Sequence, residues 1–145
     1  MKLVLQRVKS ASVTVNGKTT GEIQQGLLLF VCFEAGDTMA AVDESIEKVV
    51  NLRIFEDEAG KMNLNVKQIN GAILSVSQFT LSWDGKKGHR PSFDKSMPPQ
   101  EAKLMYYTFN KKLEERELKV EKGIFGENMQ VSLVNDGPVT FILNF

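Results

Sequence analysis

Cysteine and histidine are scarce in this chain of 145 residues, which contains one of each, Cys32 and His89. A single cysteine excludes an intrachain disulfide, and one cysteine with one histidine cannot form the ligand set of a structural zinc site. The Walker pattern, the G-x-G-x-x-G motif and the G-x-S-x-G nucleophile elbow are also missing from the sequence. We therefore expect no metal and no cofactor.

Charge of one sign is not in excess either, since 18 Lys and Arg balance 18 Asp and Glu. Proteins that bind nucleic acid along their whole length are generally basic, because neutralised phosphates supply the affinity. The balance argues against extensive non-specific binding, but it allows a pocket that takes only the end of an RNA. No segment has the roughly 18 apolar residues of a membrane helix, and no secretory signal is visible. We expect no membrane partner and a cytoplasmic location.

Apolar patterning predicts one α/β domain over residues 1–145, with roughly seven or eight strands and two helices. Strands outnumber helices and hairpins are present, so the sheet is expected to be mixed, largely antiparallel and curved. The two main helices are expected on one side of it, with strands folded over the other side.

Local signals place several of these elements. The run Leu27–Phe33 is apolar on both faces, which is typical of a central strand covered on both sides. A tight turn is expected at Asn16-Gly17, between Ala11–Val15 and Lys18–Ile23. Further strands are predicted at Leu3–Val8, Arg53–Phe55, Ala72–Phe79, Leu118–Lys122, Gln130–Val134 and Val139–Phe145, the last two interrupted by Gly137-Pro138.

Two helices are indicated by capping residues and by helical spacing of apolar residues. Asp37 or Thr38 is expected to cap the first helix, which ends near Leu52. Pro98 or Pro99 suits the first turn of the second helix. Its apolar stripe comprises Ala102, Met105, Tyr106, Phe109 and Leu113.

The two residues that most often carry nucleophilic or acid-base chemistry have simpler interpretations. Cys32 lies inside the apolar run Leu27–Phe33 and is interpreted as a buried small residue, because a catalytic thiol needs partial exposure and positive neighbours. His89 lies in Ser82–Pro99, an aperiodic basic loop of a length that is usually functional. A solvated loop histidine is the simpler interpretation, and a general base is the alternative.

Two polar segments resist a purely structural explanation. Ser77-Gln78-Phe79-Thr80 ends an apolar strand, either because the strand runs into solvent or because polar side chains and backbone N–H groups converge there on an ester and its oxyanion. Asn135–Thr140 contains Gly137-Pro138, which is either a tight turn between two strands or a rigid backbone wedge. A Gly-Pro bond can adopt the cis form at low cost.

These segments closely resemble the paired signatures of the D-aminoacyl-tRNA deacylase family, also called D-tyrosyl-tRNA deacylases. Other short motifs resemble that family in the same order along nearly the whole chain. They are Gln6-Arg7-Val8, Arg53-Ile54-Phe55, Gly60–Asn63, Lys87-Gly88 with Arg90–Phe93, Gly123–Gly126 with Met129, and Leu133–Thr140.

The resemblance implies a homodimer with its active site at the interface, acting on the acceptor end of aminoacyl-tRNA. It implies hydrolysis of D-aminoacyl-tRNA, with glycyl-tRNA as a further substrate. In the family a cis Gly-Pro peptide enters the partner's pocket and leaves no room for an L side chain. Carried over, Gly137 and Pro138 are the chirality filter, Arg7 braces their loop, and Met129 belongs to the binding site. Ser77, Gln78, Phe79 and Thr80 line the pocket for the ester and the terminal adenosine.

No covalent nucleophile is assigned, because no base is visible beside the Thr80 hydroxyl. Direct attack by water is favoured, with backbone N–H groups around Phe79 and Thr80 holding the oxyanion and the ribose 2′-hydroxyl assisting. Two other functions stay open. One is a non-catalytic nucleic-acid-binding module, suggested by the basic run Lys86–Arg90. The other is a hydrolase of small esters or amides.

Overall fold

The computed structural model describes residues 1–86 and 88–145, so Lys87, part of one predicted motif, lies outside the described residues. The elements in chain order are β1 (Lys2–Val15), β2 (Lys18–Ile23), β3 (Gly26–Cys32), α1 (Met39–Asn51), β4 (Phe55–Glu56), β5 (Met62–Leu64), β6 (Ala72–Ser77), a 3-10 turn (Phe79–Ser82), α2 (Pro99–Glu114), β7 (Lys119–Lys122) and β8 (Gln130–Asn144).

Strand β1 organises the main sheet, because it pairs along both of its edges. On one edge its first half pairs with β3 and its second half with β2, and on the other edge it pairs with β8, all antiparallel. Beyond β3 the sheet continues through β6 and β7, which are parallel to it. The predicted mixed sheet is confirmed, in the order β2-β1-β3-β6-β7 with β8 on the free edge of β1.

The sheet curves until its two ends nearly meet. Gly21 in β2 lies so close to β7 that an added Cβ would stand 3.1 Å from the carbonyl oxygen of Lys122. Alternate residues of β3 therefore face two different cores, as the two-sided apolar run predicts. Leu27, Leu29 and Val31 belong to the core beneath the helices, and Leu28 to the core inside the curved sheet.

The helices cover one side of this sheet. The α1 cap is Thr38, whose hydroxyl accepts the backbone N–H of Ala41 at 3.4 Å. Pro99 is the first residue of α2, and the buried Tyr106 of that helix donates its hydroxyl to the carbonyl of Ser75 at 2.8 Å. Within the described residues, neither helix has the length and apolar character to cross a membrane.

Four strand predictions were wrong in their bounds. Leu3–Val8 and Ala11–Val15 form one strand, β1, because bulges opposite β8 absorb the irregular stretch between them. Ala72–Phe79 ends at Ser77, where the chain turns into the 3-10 helix. Arg53–Phe55 is shifted to β4, which pairs with β5 in a separate two-stranded sheet.

Gly137-Pro138 does not divide the last strand in two, contrary to prediction. Gln6 pairs with Thr140 and Val8 pairs with Asn135, so the residues between Asn135 and Thr140 stand opposite Arg7 alone. The extra residues bulge out of a strand that continues on both sides. The predicted interruption is therefore a protruding loop within β8.

Gly26 is expected to tolerate no side chain, because an added Cβ would fall inside the backbone of Ala72 on the neighbouring strand β6. We predict that Gly26→Ala lowers the free energy of unfolding by about 3 kcal/mol, measured by urea denaturation. Gly60→Ala is the control, since Gly60 has φ +72° but open space around it. Its cost is about 1 kcal/mol, from backbone conformation alone. Equal losses in the two variants would contradict the steric argument.

Candidate active site

A cavity of about 450 Å³ opens at the carboxyl ends of β3 and β6. This edge, where neighbouring parallel strands end, is where open α/β sheets commonly bind ligands. Most of the wall is apolar, as is usual for small-molecule sites. The lining residues are Val31, Cys32, Phe33, Ser77, Gln78, Phe79, Phe93, Ser96, Met97, Pro98, Pro99, Ala102, Phe125 and Gly126.

Three residues of the predicted segment Ser77–Thr80 line this cavity, and the fourth is bonded to one of them. The backbone N–H of Gln78 donates to the carbonyl of Val31 at 2.8 Å, so Gln78 prolongs the pairing of β6 with β3. Its side-chain amide donates to Thr80 Oγ1 at 2.6 Å. An amide nitrogen cannot accept the hydroxyl proton of Thr80, so this contact does not activate Thr80 as a nucleophile.

The 3-10 turn determines which groups of this segment are free to bind a ligand. Phe79 and Thr80 are its first two residues, so their backbone N–H groups have no acceptor within the turn. The Phe79 ring is 57% exposed and packs edge-on against Phe93, with ring centroids 4.9 Å apart. The turn therefore offers two N–H donors and an open aromatic face beside the cavity.

The segment Phe93–Met97, which contains a turn and one isolated β-bridge between Ser96 and Glu34, holds the 3-10 turn in place. Met97 N–H donates to the carbonyl of Phe33 at 3.1 Å. The hydroxyl of Ser96 lies 3.3 Å from the carbonyl oxygen of Phe79 and 2.7 Å from the hydroxyl of Ser82. Ser82 and Ser96 were not predicted as site residues. The available signal was the aperiodic loop Ser82–Pro99, which includes both residues.

Cys32 is buried in the cavity wall, as predicted, with 1% of its surface exposed. Burial, reinforced by the carboxylate of Glu34, raises the pKa of the Cys32 thiol to about 11. At neutral pH the group is a thiol rather than a nucleophilic thiolate. His89 is exposed, which agrees with the simpler interpretation of that residue.

Arg7 holds the Gly137-Pro138 loop from inside the protein. Its buried guanidinium donates from Nε to the carbonyl of Asp136 at 2.8 Å and from Nη1 to the carbonyl of Ile54. Asn135 closes the loop, because its Oδ1 accepts the Val139 N–H at 2.9 Å. Gly137 and Pro138 are exposed at the tip, and the peptide bond between them is cis.

Within one chain the loop and the cavity are far apart. Arg7 pairs with Leu27 near the start of β3, whereas Ser77 pairs with Val31 near its end. Four residues of strand correspond to about 13 Å. Met129 has its sulfur against Gly123 and its side chain on the core inside the sheet. The structure thus unites Ser77, Gln78 and Phe79 and separates them from Arg7, Gly137 and Pro138.

No group of three or more His, Cys, Asp or Glu side chains able to hold a metal occurs within residues 1–86 and 88–145.

Comparison with known proteins decides the family. The family model described as D-Tyr-tRNA(Tyr) deacylase matches residues 4–144. The chain belongs to this family.

Relatives named D-aminoacyl-tRNA deacylase match the chain along its whole length. The Geotalea daltonii protein is 53% identical over 143 residues, covering 99% of this chain and 95% of the relative. The Thermodesulfovibrio yellowstonii protein is 51% identical over 144 residues, covering 99% of both. The predicted resemblance to the D-aminoacyl-tRNA deacylases is confirmed.

Solved structures share the fold. One, named c-Myc DNA Unwinding Element Binding Protein, has a TM-score of 0.94 and 40% identity, covering 100% of this chain and 99% of the other. A second, described as a probable eukaryotic D-amino acid tRNA deacylase, has a TM-score of 0.86 at 17% identity, covering 98% and 97%. The second likeness concerns the fold alone.

The environment of Cys32 in this deacylase-family chain leads to a labelling prediction. A pKa raised from 9.0 to about 11 leaves about a hundredfold less thiolate at pH 8. We expect iodoacetamide at pH 8, followed by mass spectrometry, to alkylate the folded protein at least about 100-fold more slowly than the protein in guanidinium. Cys32→Ser supplies the baseline, since the chain has one cysteine. Equally fast labelling of folded and unfolded protein would contradict the description of Cys32 as a buried, protonated thiol.

Proposed function

We propose that this chain hydrolyses the ester bond of D-aminoacyl-tRNA, releasing the D-amino acid and free tRNA, and that it also accepts glycyl-tRNA. The observation that carries the proposal is membership, over residues 4–144, of a family described by this activity. The cavity supports it, because Ser77, Gln78 and Ser96 contribute polar groups to a mostly apolar wall. Charged tRNA as substrate agrees with the predicted cytoplasmic location.

The residues around the cavity have distinct roles in the proposed reaction. The exposed face of Phe79 stacks on the terminal adenine, as aromatic side chains do in many single-strand binding proteins. Gln78 and Ser77 contact the aminoacyl ester. Water attacks the ester carbonyl, and the N–H groups of Phe79 and Thr80 hold the resulting oxyanion. The ribose 2′-hydroxyl assists, and Thr80 serves as a pocket residue rather than a nucleophile.

The separation of loop and cavity within one chain is the reason for proposing a homodimer. Ile142 pairs with Val4, which also pairs with Phe30. Leu143 packs on the core beneath the helices. Since successive side chains of a strand alternate, Ile142 points to the opposite face of the sheet. That face is apolar at its centre, and Ile142 is 71% exposed on it.

A buried polar atom on the same face also favours a partner subunit. The side-chain oxygen of Gln6 is buried and has no hydrogen-bond partner among the described residues. An unpaired buried acceptor is costly, and in a dimer the Gln6 side chain could turn to meet a donor of the second copy. A two-fold axis near Val4 would place the loop end of one sheet over the cavity end of the other, since both copies contribute the same patch.

In this dimer the loop of each chain tests the substrate held by its partner. Gly137 and Pro138 enter the partner's cavity as backbone and leave no space for an L side chain. Arg7 is the positioning residue, because it fixes the loop through Asp136. Rejection by exclusion needs no recognition of the D side chain. Many D-amino acids, and glycine, would then be accepted. Met129 packs against Gly123, two residues before the cavity-lining Phe125, and we keep it as a proposed substrate-binding residue.

The proposal is tested by deacylation of D-tyrosyl-tRNA and L-tyrosyl-tRNA. We expect the wild type to release only D-tyrosine. In Gly137→Ala the added Cβ would stand 2.5 Å from the Val139 nitrogen, so the loop must move. We expect release of D-tyrosine to fall at least about tenfold, or release of L-tyrosine to appear. Gly60→Ala, where the added Cβ meets nothing within 4 Å, should behave as wild type. If the wild type releases neither amino acid, the enzyme assignment is wrong.

The dimer is tested by placing a charge on the proposed interface. Ile142→Lys should shift the protein toward monomer in sedimentation velocity and reduce D-tyrosyl-tRNA hydrolysis at least about tenfold, because a lysine there would be desolvated without a partner. Leu104→Lys is a matched control on α2, since Leu104 is also 71% exposed. It should leave both measurements unchanged. A fully active monomer would contradict the cross-subunit filter.

A second candidate is a nucleic-acid-binding module without catalysis. The solved structure named c-Myc DNA Unwinding Element Binding Protein, 40% identical to this chain, favours it. Salt-dependent binding to DNA without ester hydrolysis would support this function. Equal activity on a D-amino acid ester that lacks RNA would instead indicate a hydrolase of small esters.

A further inference from the structure

Trp83, the chain's one tryptophan, follows the 3-10 turn and has 39% of its surface exposed. It lines a second recess of about 220 Å³ beside the cavity. The other residues that line the recess are polar or charged: Ser82, Asp84, Lys86, Ser92, Asp94 and Lys95. An indole that is partly exposed among such groups offers an apolar face on which a base can stack.

The recess and the cavity share a wall. Ser82 lines the recess and Ser96 lines the cavity, and their hydroxyl oxygens are 2.7 Å apart. Trp83 is tied to the same turn, because its N–H donates to the carbonyl of Thr80 at 3.2 Å. Phe79 and Trp83 are four residues apart, or roughly 8 Å along a 3-10 axis. That spacing is of the order of one extended nucleotide step.

Two cations of the loop around the recess are available to a phosphate backbone. The recess itself is lined by two lysines, Lys86 and Lys95, and two aspartates, Asp84 and Asp94. Lys95 bonds Asp84 at 3.0 Å, and the Lys86 N–H donates to the same carboxylate at 3.1 Å. Asp84 is thus engaged within the protein, while the side chains of Lys86 and Arg90 are exposed.

We propose that Trp83 is a stacking platform for the nucleotide that precedes the terminal adenosine of the RNA substrate. This inference rests on the proposed function. The adenine lies on Phe79, the preceding base lies on Trp83, and Lys86 contacts the phosphate nearby. Successive bases on successive aromatic rings, with cations along the backbone, are typical of single-strand binding sites. The platform gives affinity for tRNA without depending on the amino acid.

Tryptophan fluorescence tests the platform directly, because Trp83 is the chain's one tryptophan. The probe is an uncharged RNA hairpin with a single-stranded 3′-ACCA end, compared with the same hairpin lacking that end and with adenosine 5′-monophosphate. We expect saturable quenching by the complete hairpin and little by the other two. Absence of quenching despite RNA binding, or equal quenching by the nucleotide alone, would overturn the proposal.

Kinetics with two substrates distinguish base stacking by Trp83 from a structural role of Trp83 in the cavity wall. We expect Trp83→Ala to lower kcat/KM for D-tyrosyl-tRNA about tenfold or more, mainly through KM, and Trp83→Phe to retain most of it. Hydrolysis of the D-tyrosyl ester of adenosine, which lacks the preceding nucleotide, should not change. Equal losses on both substrates would show a structural role and contradict the platform.

The kinetic experiment needs a control variant and an outcome that distinguishes failure of the proposed function from failure of the Trp83 platform. Tyr107→Ala on α2 removes an aromatic ring of similar exposure, 42%, and should leave tRNA kinetics unchanged. If the wild type hydrolyses neither substrate, the proposed function fails. The fluorescence titration still decides whether Trp83 binds an RNA end.

Discussion

The pairing of β1 along both of its edges is the constraint on which this structure depends. Through it, β3, β2 and β8 are hydrogen-bonded to one strand of 14 residues, and β3 in turn carries β6 and β7. Because side chains alternate along these strands, one set of pairings creates both cores. The ends of β3 and β6 form the cavity, and the bulge opposite β1 forms the Gly137-Pro138 loop. The distance between these two features is therefore a property of strand register.

The distance between the loop and the cavity within one chain is the physical reason for the proposed dimer. A rigid loop held by Arg7 cannot reach the cavity of its own chain, because the loop lies level with the start of β3 and the cavity opens at the end of β3. Two identical sheets stacked about a two-fold axis would bring each loop to the other's cavity. The exposed Ile142 lies on the face that such stacking would cover, and so does the side-chain oxygen of Gln6, which has no hydrogen-bond partner within residues 1–86 and 88–145. Specificity would then depend on backbone rigidity, and affinity on the aromatic rings of Phe79 and Trp83.

Sequence reasoning succeeded where local chemistry determines structure and was wrong where pairing partners determine it. The Asn16-Gly17 turn, the Thr38 cap and the two-sided burial of β3 follow from backbone preference and periodicity. The single strands β1 and β8 were each predicted as two, since an irregular stretch signals a break unless a neighbouring strand absorbs it as a bulge. The end of β6 was placed two residues late, because Phe79 suits a strand as well as a 3-10 turn.

By itself the sequence determined the α/β class, the strand-rich single domain, the two helices and the family, since these depend on periodicity, capping and short motifs in order. It also identified Ser77–Thr80 and Gly137-Pro138 as the segments that needed a functional explanation. Only the tertiary structure decided that Ser96 and Phe93 lie against Phe79, and that Arg7 holds the loop through the backbone carbonyls of Asp136 and Ile54. Those contacts join residues distant along the chain, and the register of paired strands, which no local pattern encodes, brings them together.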